Sequence, residues 1–497
     1  MTFDELITAV DNFAWGPTLV IFSLGCGLLF SIALKFPQIR LFKEMVRCSF
    51  RNKKGKAGLT PFQALSIAIG GRVGTGNITG TASAIMFGGP GAVFWMCAMA
   101  IVCSASAYIE SALAQIWKRR VNGEYAGGPS FYMEKGLGSS WMAGFYGFVS
   151  VVFLIIFAGV QTNAFSSIVT TSYDVSPLTV AIGYTLLLVF VIFGGSKVIA
   201  SVADKVVPFM SIAYVGVALL LILINLSHVP YVLSLIVSSA FSTHAVFGGM
   251  VGTSISWGVR RGVFSNEAGL GTGAWVAGCA DVSHPARAGL SQVFSIFISL
   301  CICLATSLMI LVTESYSVVS GDGSYVVQHI QGGYDVFVTE AINSTVQGFG
   351  SFFITAAMGL FTFTTIMAYS MYLSRIYYYF FSDRLDKPIV KAVNIAINAA
   401  TVALGFVGPL VHSTLIWNMA SALCGLLSLV NLACLAFLYK PGVATLRDYE
   451  RQLAKGIEPV FIPERCGIKG DEYWNQIIKE DYPEELSAYQ KAFAKKS

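Results

Sequence analysis

Long apolar runs separated by short charged stretches dominate this chain. A helix that crosses a bilayer needs about 20 mainly apolar residues. Runs of that kind fall near 16–36, 61–88, 90–117, 141–172, 177–195, 202–226, 241–259, 286–313, 346–381, 388–408 and 411–439. The pattern predicts an all-α polytopic membrane protein with about 11 transmembrane helices. Composition agrees: of 497 residues, 55% are hydrophobic and 12% charged, with a mean hydropathy of +0.68. A soluble protein carries about twice that share of charge. A soluble enzyme, a disordered chain and a disulfide-stapled secreted domain are excluded as readings of the whole.

Charge then orients the spans. If the basic loop 35–56 is cytoplasmic, alternation puts 31 of the 32 Lys and Arg on that side, including those at 260–287 and 440–497. The positive-inside rule therefore predicts an N-terminus outside, a C-terminus in the cytoplasm and residence in the cell (inner) membrane. Residues 440–497 hold ten acidic and ten basic side chains and read as a solvated cytoplasmic tail. Most of the ten cysteines lie in apolar runs and read as small buried hydrophobes. The first apolar run has no Lys or Arg before it and no small-residue cleavage site after it, so a cleavable signal peptide is not expected. The five histidines show no metal-ligand spacing, and there is no phosphate-binding Walker loop. No catalytic constellation, cofactor or nucleic-acid partner is expected.

Setting residues 1–60 aside as an extra helix and basic loop leaves two sets of five spans, 61–226 and 227–439, which run in opposite senses. Each opens on a glycine-rich helix: Ile69-Gly-Gly-Arg-Val-Gly-Thr-Gly-Asn77 and Phe247-Gly-Gly-Met-Val-Gly-Thr-Ser254. Paired glycine-interrupted helices in two inverted halves point to a central transport site. Unwinding there frees N–H groups for a carboxylate and carbonyls for a cation. Close helix packing through GxxxG spacing is the competing explanation of the same glycines.

At these residues the chain resembles the alanine or glycine:cation symporter family, the sodium:alanine symporters. The resemblance is carried by Val73-Gly-Thr-Gly-Asn-Ile78, Gly88-Gly-Pro-Gly-Ala-Val-Phe-Trp95, Gly127-Gly-Pro129, Gly194-Gly-Ser-Lys197, Arg261-Gly-Val-Phe-Ser-Asn-Glu-Ala-Gly-Leu-Gly271, His284-Pro285 and Phe361-Thr-Phe-Thr-Thr-Ile366. It implies a LeuT-like 5+5 inverted repeat and sodium-coupled import of a small neutral amino acid, with sodium as coupling ion. The amides of Thr75 and Gly76, within the segment Gly71, Gly74 and Asn77, would receive the substrate carboxylate. Carbonyls of Gly70 and Val73 with the hydroxyls of Thr364 and Thr365 would hold sodium. Gln161 would contact substrate, with Asn163 a lesser neighbour. Phe247, Met250 and Thr253 would line the pocket and Tyr369 would close it. The chain departs from the family pattern at Tyr369, Ser299 and Ser421, where a Trp and two acids are familiar.

Two charged groups remain. Arg72 lies inside a span, where an unpaired charge is very unfavourable, so a buried pair with Glu110 is expected ahead of a direct role at the substrate or a second cation. Glu267 follows Arg260 and Arg261, and a gating or loop-ordering salt bridge at the cytoplasmic end of its span is expected. The alternatives left open are proton coupling, serine or glutamine as substrate, and an amino-acid sensor that moves nothing.

Overall fold

A computed structural model describes residues 3–50, 58–241, 246–411, 413–468 and 472–494. Residues 51–56 of the basic loop, and parts of the predicted spans at 242–245 and 412, lie outside the described residues. The chain is almost wholly helical. The main helices are α1 (Pro17–Ala33), α2 (Pro61–Arg72), α3 (Thr81–Gly88), α4 (Gly91–Ile116), α5 (Ser140–Tyr173), α6 (Pro177–Ile192), α7 (Gly195–Ile224), α8 (Val251–Asn266), α9 (Thr272–Ala277), α10 (Pro285–Val312), α11 (Phe349–Phe381), α12 (Pro388–Val407) and α13 (Ser413–Leu453). Among the described residues, eight helical stretches are long and apolar enough to cross a bilayer, and α6 is apolar but only 16 residues long.

Local chemistry starts these helices where turns are needed. Thr60 caps α2 reciprocally with Gln63, at 3.1 Å in each direction, and Pro61 follows at the first helical position. Ser176 accepts from Thr179 N–H at the start of α6 and His284 from Ala286 N–H at the start of α10, each followed by a proline. The outward faces stay apolar: Phe190 is 78% exposed, Ile212 73% and Phe209 67%. Faces that greasy are incompatible with water and suit lipid.

Inside, α4 lies along α10 and α5 along α11. Helix α8 packs against α4 at Gly258, where an added Cβ would lie 2.6 Å from the Ala92 carbonyl oxygen. Two of the helical passes are interrupted. The first breaks between α2 and α3, at Val73–Thr75 followed by a π-turn over Gly76–Gly80. The second breaks between α8 and α9, where Glu267, Gly269 and Gly271 have φ of 54°, 83° and 93°.

That location corrects the sequence reading. The glycines around Phe247–Ser254 do not break a span; they lead into the first turn of the regular helix α8. The interruption lies at Glu267–Gly271, inside the Ser-Asn-Glu-Ala-Gly-Leu-Gly string. Arg260 and Arg261 accordingly sit within α8, on the side shared with Gly88 and with Asp11 of the short helix Phe3–Ala14, away from Arg287.

The segment after α13 is also not a solvated tail. Trp474 and Phe461 are fully buried. Trp474 Nε1 donates to the Gln115 carbonyl at 2.8 Å, and Phe461 N–H to the Ser283 carbonyl at 3.0 Å. Tyr125, on the hairpin β1 (Arg119–Val121) and β2 (Glu124–Ala126), donates to Asp481 at 2.8 Å.

Candidate functional site

The last carbonyls of a helix have no intrahelical partner, and α2 ends in mid-protein with every residue from Ala64 to Ile85 buried. Val73 N–H makes the final helical bond, to Ile69 at 2.7 Å, and the next donor, Gly74 N–H, turns to Asn77 Oδ1 at 3.1 Å. The Gly70 and Val73 carbonyls are met by Thr365 of α11, whose hydroxyl lies 2.9 Å and 3.4 Å from them. The Phe361 carbonyl is 2.9 Å from the same hydroxyl. Three carbonyl oxygens thus surround one hydroxyl that has a single proton to give. Thr364, beside it, points its hydroxyl to Phe361 O and Met210 Sδ, at 3.1 and 3.5 Å. An all-oxygen set of this kind suits a hard monovalent cation. Phe361 was not anticipated; its position one turn before Thr365 is the signal that could have found it.

Next to this cluster, Thr75 N–H donates to Gln161 Oε1 of α5 at 3.2 Å, and the Thr75 hydroxyl is buried without a partner. Gly74 packs so tightly that a Cβ would lie 2.5 Å from Thr365 Oγ1 and 2.9 Å from Gln161 Oε1. Gly71 is equally close to the Tyr372 hydroxyl. Gly76 lies under Phe264, whose ring stacks on Trp417 at 5.7 Å and meets Phe157 at 4.8 Å. Asn77 ties the break to α10, giving its amide to Ser299 Oγ at 2.8 Å. Asn163 is spent elsewhere, on the Gly408 carbonyl at 2.8 Å. Gly70, Gly71, Val73, Gly74, Thr75, Gly76, Gln161, Thr364 and Thr365 are therefore one contiguous group.

Phe247, Met250 and Thr253 are not part of it. Thr253 is exposed and bonds only its own turn, through the Met250 carbonyl at 2.7 Å. From Thr253 to the end of α8 is 13 residues, about 20 Å at 1.5 Å per residue. Phe247 is buried, but against Gly89 at the far end of α3.

The buried charges also differ from expectation. Among the described residues no ion pair joins Arg72 to Glu110. Arg72 Nε donates to the Asn266 carbonyl at 2.9 Å, and Nη1 to Gln292 Oε1 at 2.6 Å and to Ser295 Oγ. A guanidinium can be satisfied by carbonyls, and the C-terminal end of α8 carries the negative pole of that helix. Glu110 instead accepts from Asn431 Nδ2 at 3.1 Å. Nor does Glu267 pair with Arg260 or Arg261. It lies in the second break, fully buried, and accepts from the Tyr369 hydroxyl at 2.7 Å. Tyr369 is thereby held against the second break, with its ring 5.4 Å from Phe157. Arg260 pairs with Asp11 at 2.5 Å, and Arg261 lies 5.1–5.6 Å from the rings of Trp257, Phe264 and Trp417.

The sequence profile of the sodium:alanine symporter family matches residues 1–463. A relative from Bacillus subtilis (strain 168), the putative sodium/proton-dependent alanine carrier protein YrbD, is 42% identical over 476 residues, covering 95% of this chain and 98% of its own. The probable sodium/glutamine symporter GlnT of the same organism is 37% identical, over 92% of this chain and 93% of its own. The sodium/alanine symporter AgcS of Methanococcus maripaludis is 32% identical, over 88% and 95%.

Proposed function

The chain belongs to the sodium:alanine symporter family, and from that premise we propose that it imports alanine or glycine across the cell membrane, driven by sodium. It is a multi-pass membrane transporter, not an enzyme. The observation that carries the finer reading is the junction of the first break with α11. There the Gly70, Val73 and Phe361 carbonyls converge on Thr365 beside the tightly packed Thr75 and Gln161. Sodium would take the oxygens, and the backbone N–H groups of Thr75 and Gly76 would receive the amino-acid carboxylate. Gly74, with no room for a side chain, keeps the pocket small. In this reading the sets 61–226 and 227–439 form a LeuT-like inverted repeat after an extra first helix, and rock about the breaks to alternate access. The basic loops support an N-terminus outside and a C-terminus in the cytoplasm.

The test is uptake of labelled alanine and glycine into proteoliposomes, with and without an inward sodium gradient. Concentrative uptake that requires sodium is expected. Flux that ignores the sodium gradient, or binding with no uptake, overturns the reading. Glutamine belongs in the same panel, because GlnT is described as a sodium/glutamine symporter.

A further inference from the structure

Two carboxylates and one guanidinium are buried together between the breaks, and their charges do not balance. Arg72 is 2% exposed, Glu267 1% and Glu110 fully buried. All three converge on the second break: Arg72 Nε bonds the carbonyl of Asn266, next to Glu267, and Asn431 joins Glu110 to the Gly269 carbonyl two residues beyond Glu267. Among the described residues, the other ionisable groups facing Glu110 are the phenols of Tyr132 and Tyr146, and those facing Glu267 are Tyr146, Tyr369, Tyr372 and the Cys424 thiol. One positive charge therefore faces two acids. A net charge left over in an interior this deep is strongly unfavourable, and a carboxyl group relieves it by taking a proton. The group is also not saturated internally: Arg72 Nη2 and Glu267 Oε2 are buried with no hydrogen-bond partner.

We propose that Arg72, Glu110 and Glu267 form a proton-binding site, in which Glu110 takes up one proton and releases it within each transport cycle. In this site Glu267 is the carboxylate matched to Arg72: the Tyr369 hydroxyl donates to it at 2.7 Å, and Arg72 Nε holds the carbonyl of the preceding residue, Asn266, at 2.9 Å. Glu110 is the surplus acid. Its partner, Asn431, uses one amide group for two tasks, donating to Glu110 Oε2 at 3.1 Å and to the Gly269 carbonyl at 2.9 Å. Asn431 Oδ1 is held in turn by the Tyr132 hydroxyl at 2.5 Å. Protonating the carboxylate weakens an acceptor that helps to place Asn431, and Asn431 holds the middle of the second break. The step is a simple protonation: water on the outer side gives up H⁺ to a Glu110 oxygen, and water on the inner side recovers it. No electron moves and no bond between heavy atoms changes.

This inference rests on the transport reading above, so the experiment separates the two. Proteoliposomes with equal sodium on both faces and a trapped pH dye receive external alanine, and labelled alanine uptake under a sodium gradient is measured in parallel. The wild-type protein is expected to acidify the vesicle interior as alanine enters. Glu110→Gln should abolish that acidification while sodium-driven uptake persists. Wild-type uptake with no pH change overturns the proton site and leaves the symporter intact, whatever the variant does. Acidification by Glu110→Gln equal to wild type also overturns it. Absence of sodium-driven uptake by the wild-type protein overturns the transport reading itself.

Discussion

Replacing Thr365 with valine keeps the shape of the side chain and removes the one hydroxyl on which three carbonyls converge. That hydroxyl is 2.9 Å from the Gly70 and Phe361 oxygens. Leaving a buried carbonyl unsatisfied costs about 1–3 kcal/mol, enough to loosen the end of α2 without unfolding the protein. The larger effect falls on the cation, which loses one oxygen of its shell. An interaction with a charged group is worth about 1.5–3 kcal/mol. At about 1.4 kcal/mol per factor of ten, the sodium half-saturation should rise roughly 10- to 100-fold. Because binding linkage is reciprocal, the alanine KM at low sodium should rise with it. The assay is the initial rate of labelled alanine uptake against external sodium, at two alanine concentrations, for wild type, Thr365→Val and Thr365→Ser. Serine keeps the hydroxyl and should stay close to wild type. A monodisperse Thr365→Val protein with an unchanged sodium curve would refute the assignment of this oxygen cluster to the cation.

Three further outcomes are expected. Gly74→Ala puts a methyl group 2.5 Å from Thr365 Oγ1 and 2.9 Å from Gln161 Oε1, so it should erase the thermal stabilisation produced by alanine plus sodium; stabilisation equal to wild type counts against a site there. On the opposite side from Gly88, a cavity of about 630 Å³ is lined by Cys279, Glu124 and Arg375, and the last two pair at 2.7 Å. Glu124→Gln should raise maleimide labelling of Cys279, read by peptide mass spectrometry, and an unchanged rate excludes the pair as a closure. Finally, burial pushes the Lys118 ammonium down to about 8, where it stacks on Tyr125 and Trp474 at 4.1 and 4.5 Å. The unfolded or undocked chain then binds more protons between about pH 8 and 10, so docking of the C-terminal segment should tighten as pH rises through that window. Hydrogen exchange at residues 472–481 reads it, and Lys118→Met should flatten the dependence.

The first break was legible because its glycines have a visible physical task. Gly71 and Gly74 face Tyr372, Thr365 and Gln161 at distances no Cβ tolerates. The second was misplaced because glycine content alone does not distinguish a break from a helix start. Gly249 and Gly252 meet nothing within 4 Å, whereas Gly269 and Gly271 hold positive φ and collide with neighbours if given a Cβ. Two adjacent arginines, Arg260 and Arg261, then made mid-helix look like a membrane boundary. Pairing Arg72 with Glu110 followed from matching charge to charge. The structure instead uses a backbone carbonyl, an amide and a hydroxyl, partners that no charge pattern reveals. The buried C-terminal segment escaped because its charge balance looks solvated, whereas its aromatics, Phe461 and Trp474 among them, form the face that docks.

Position along the broken passes determines which parts can move together. Leu59 N–H bonds the Cys279 carbonyl at 3.0 Å, and Asp281 N–H returns to the Leu59 carbonyl at 2.8 Å, so the start of α2 is fastened just beyond α9. The C-terminal segment holds the same region through Ser283, whose hydroxyl donates to the Pro459 carbonyl at 2.7 Å. On the other side of the breaks, Ser254 of α8 bonds the Gly88 carbonyl at the end of α3, at 2.5 Å. The half-helices on each side of the breaks are thus tied to one another, α2 with the end of α9 and α3 with the start of α8, with the unwound residues between. The oxygens proposed for sodium straddle that division: Gly70 and Val73 belong to the end of α2, whereas Phe361 and Thr365 belong to the unbroken α11. In the proposed site a cation would join the half-helices α2 and α9 to the uninterrupted α11. A ligand shifts a conformational equilibrium only by its difference in affinity between states. In the proposed cycle that difference is the set of α2 carbonyls, present while α2 lies against α11 and lost when α2 and α9 swing away, so sodium release and inward opening are one event.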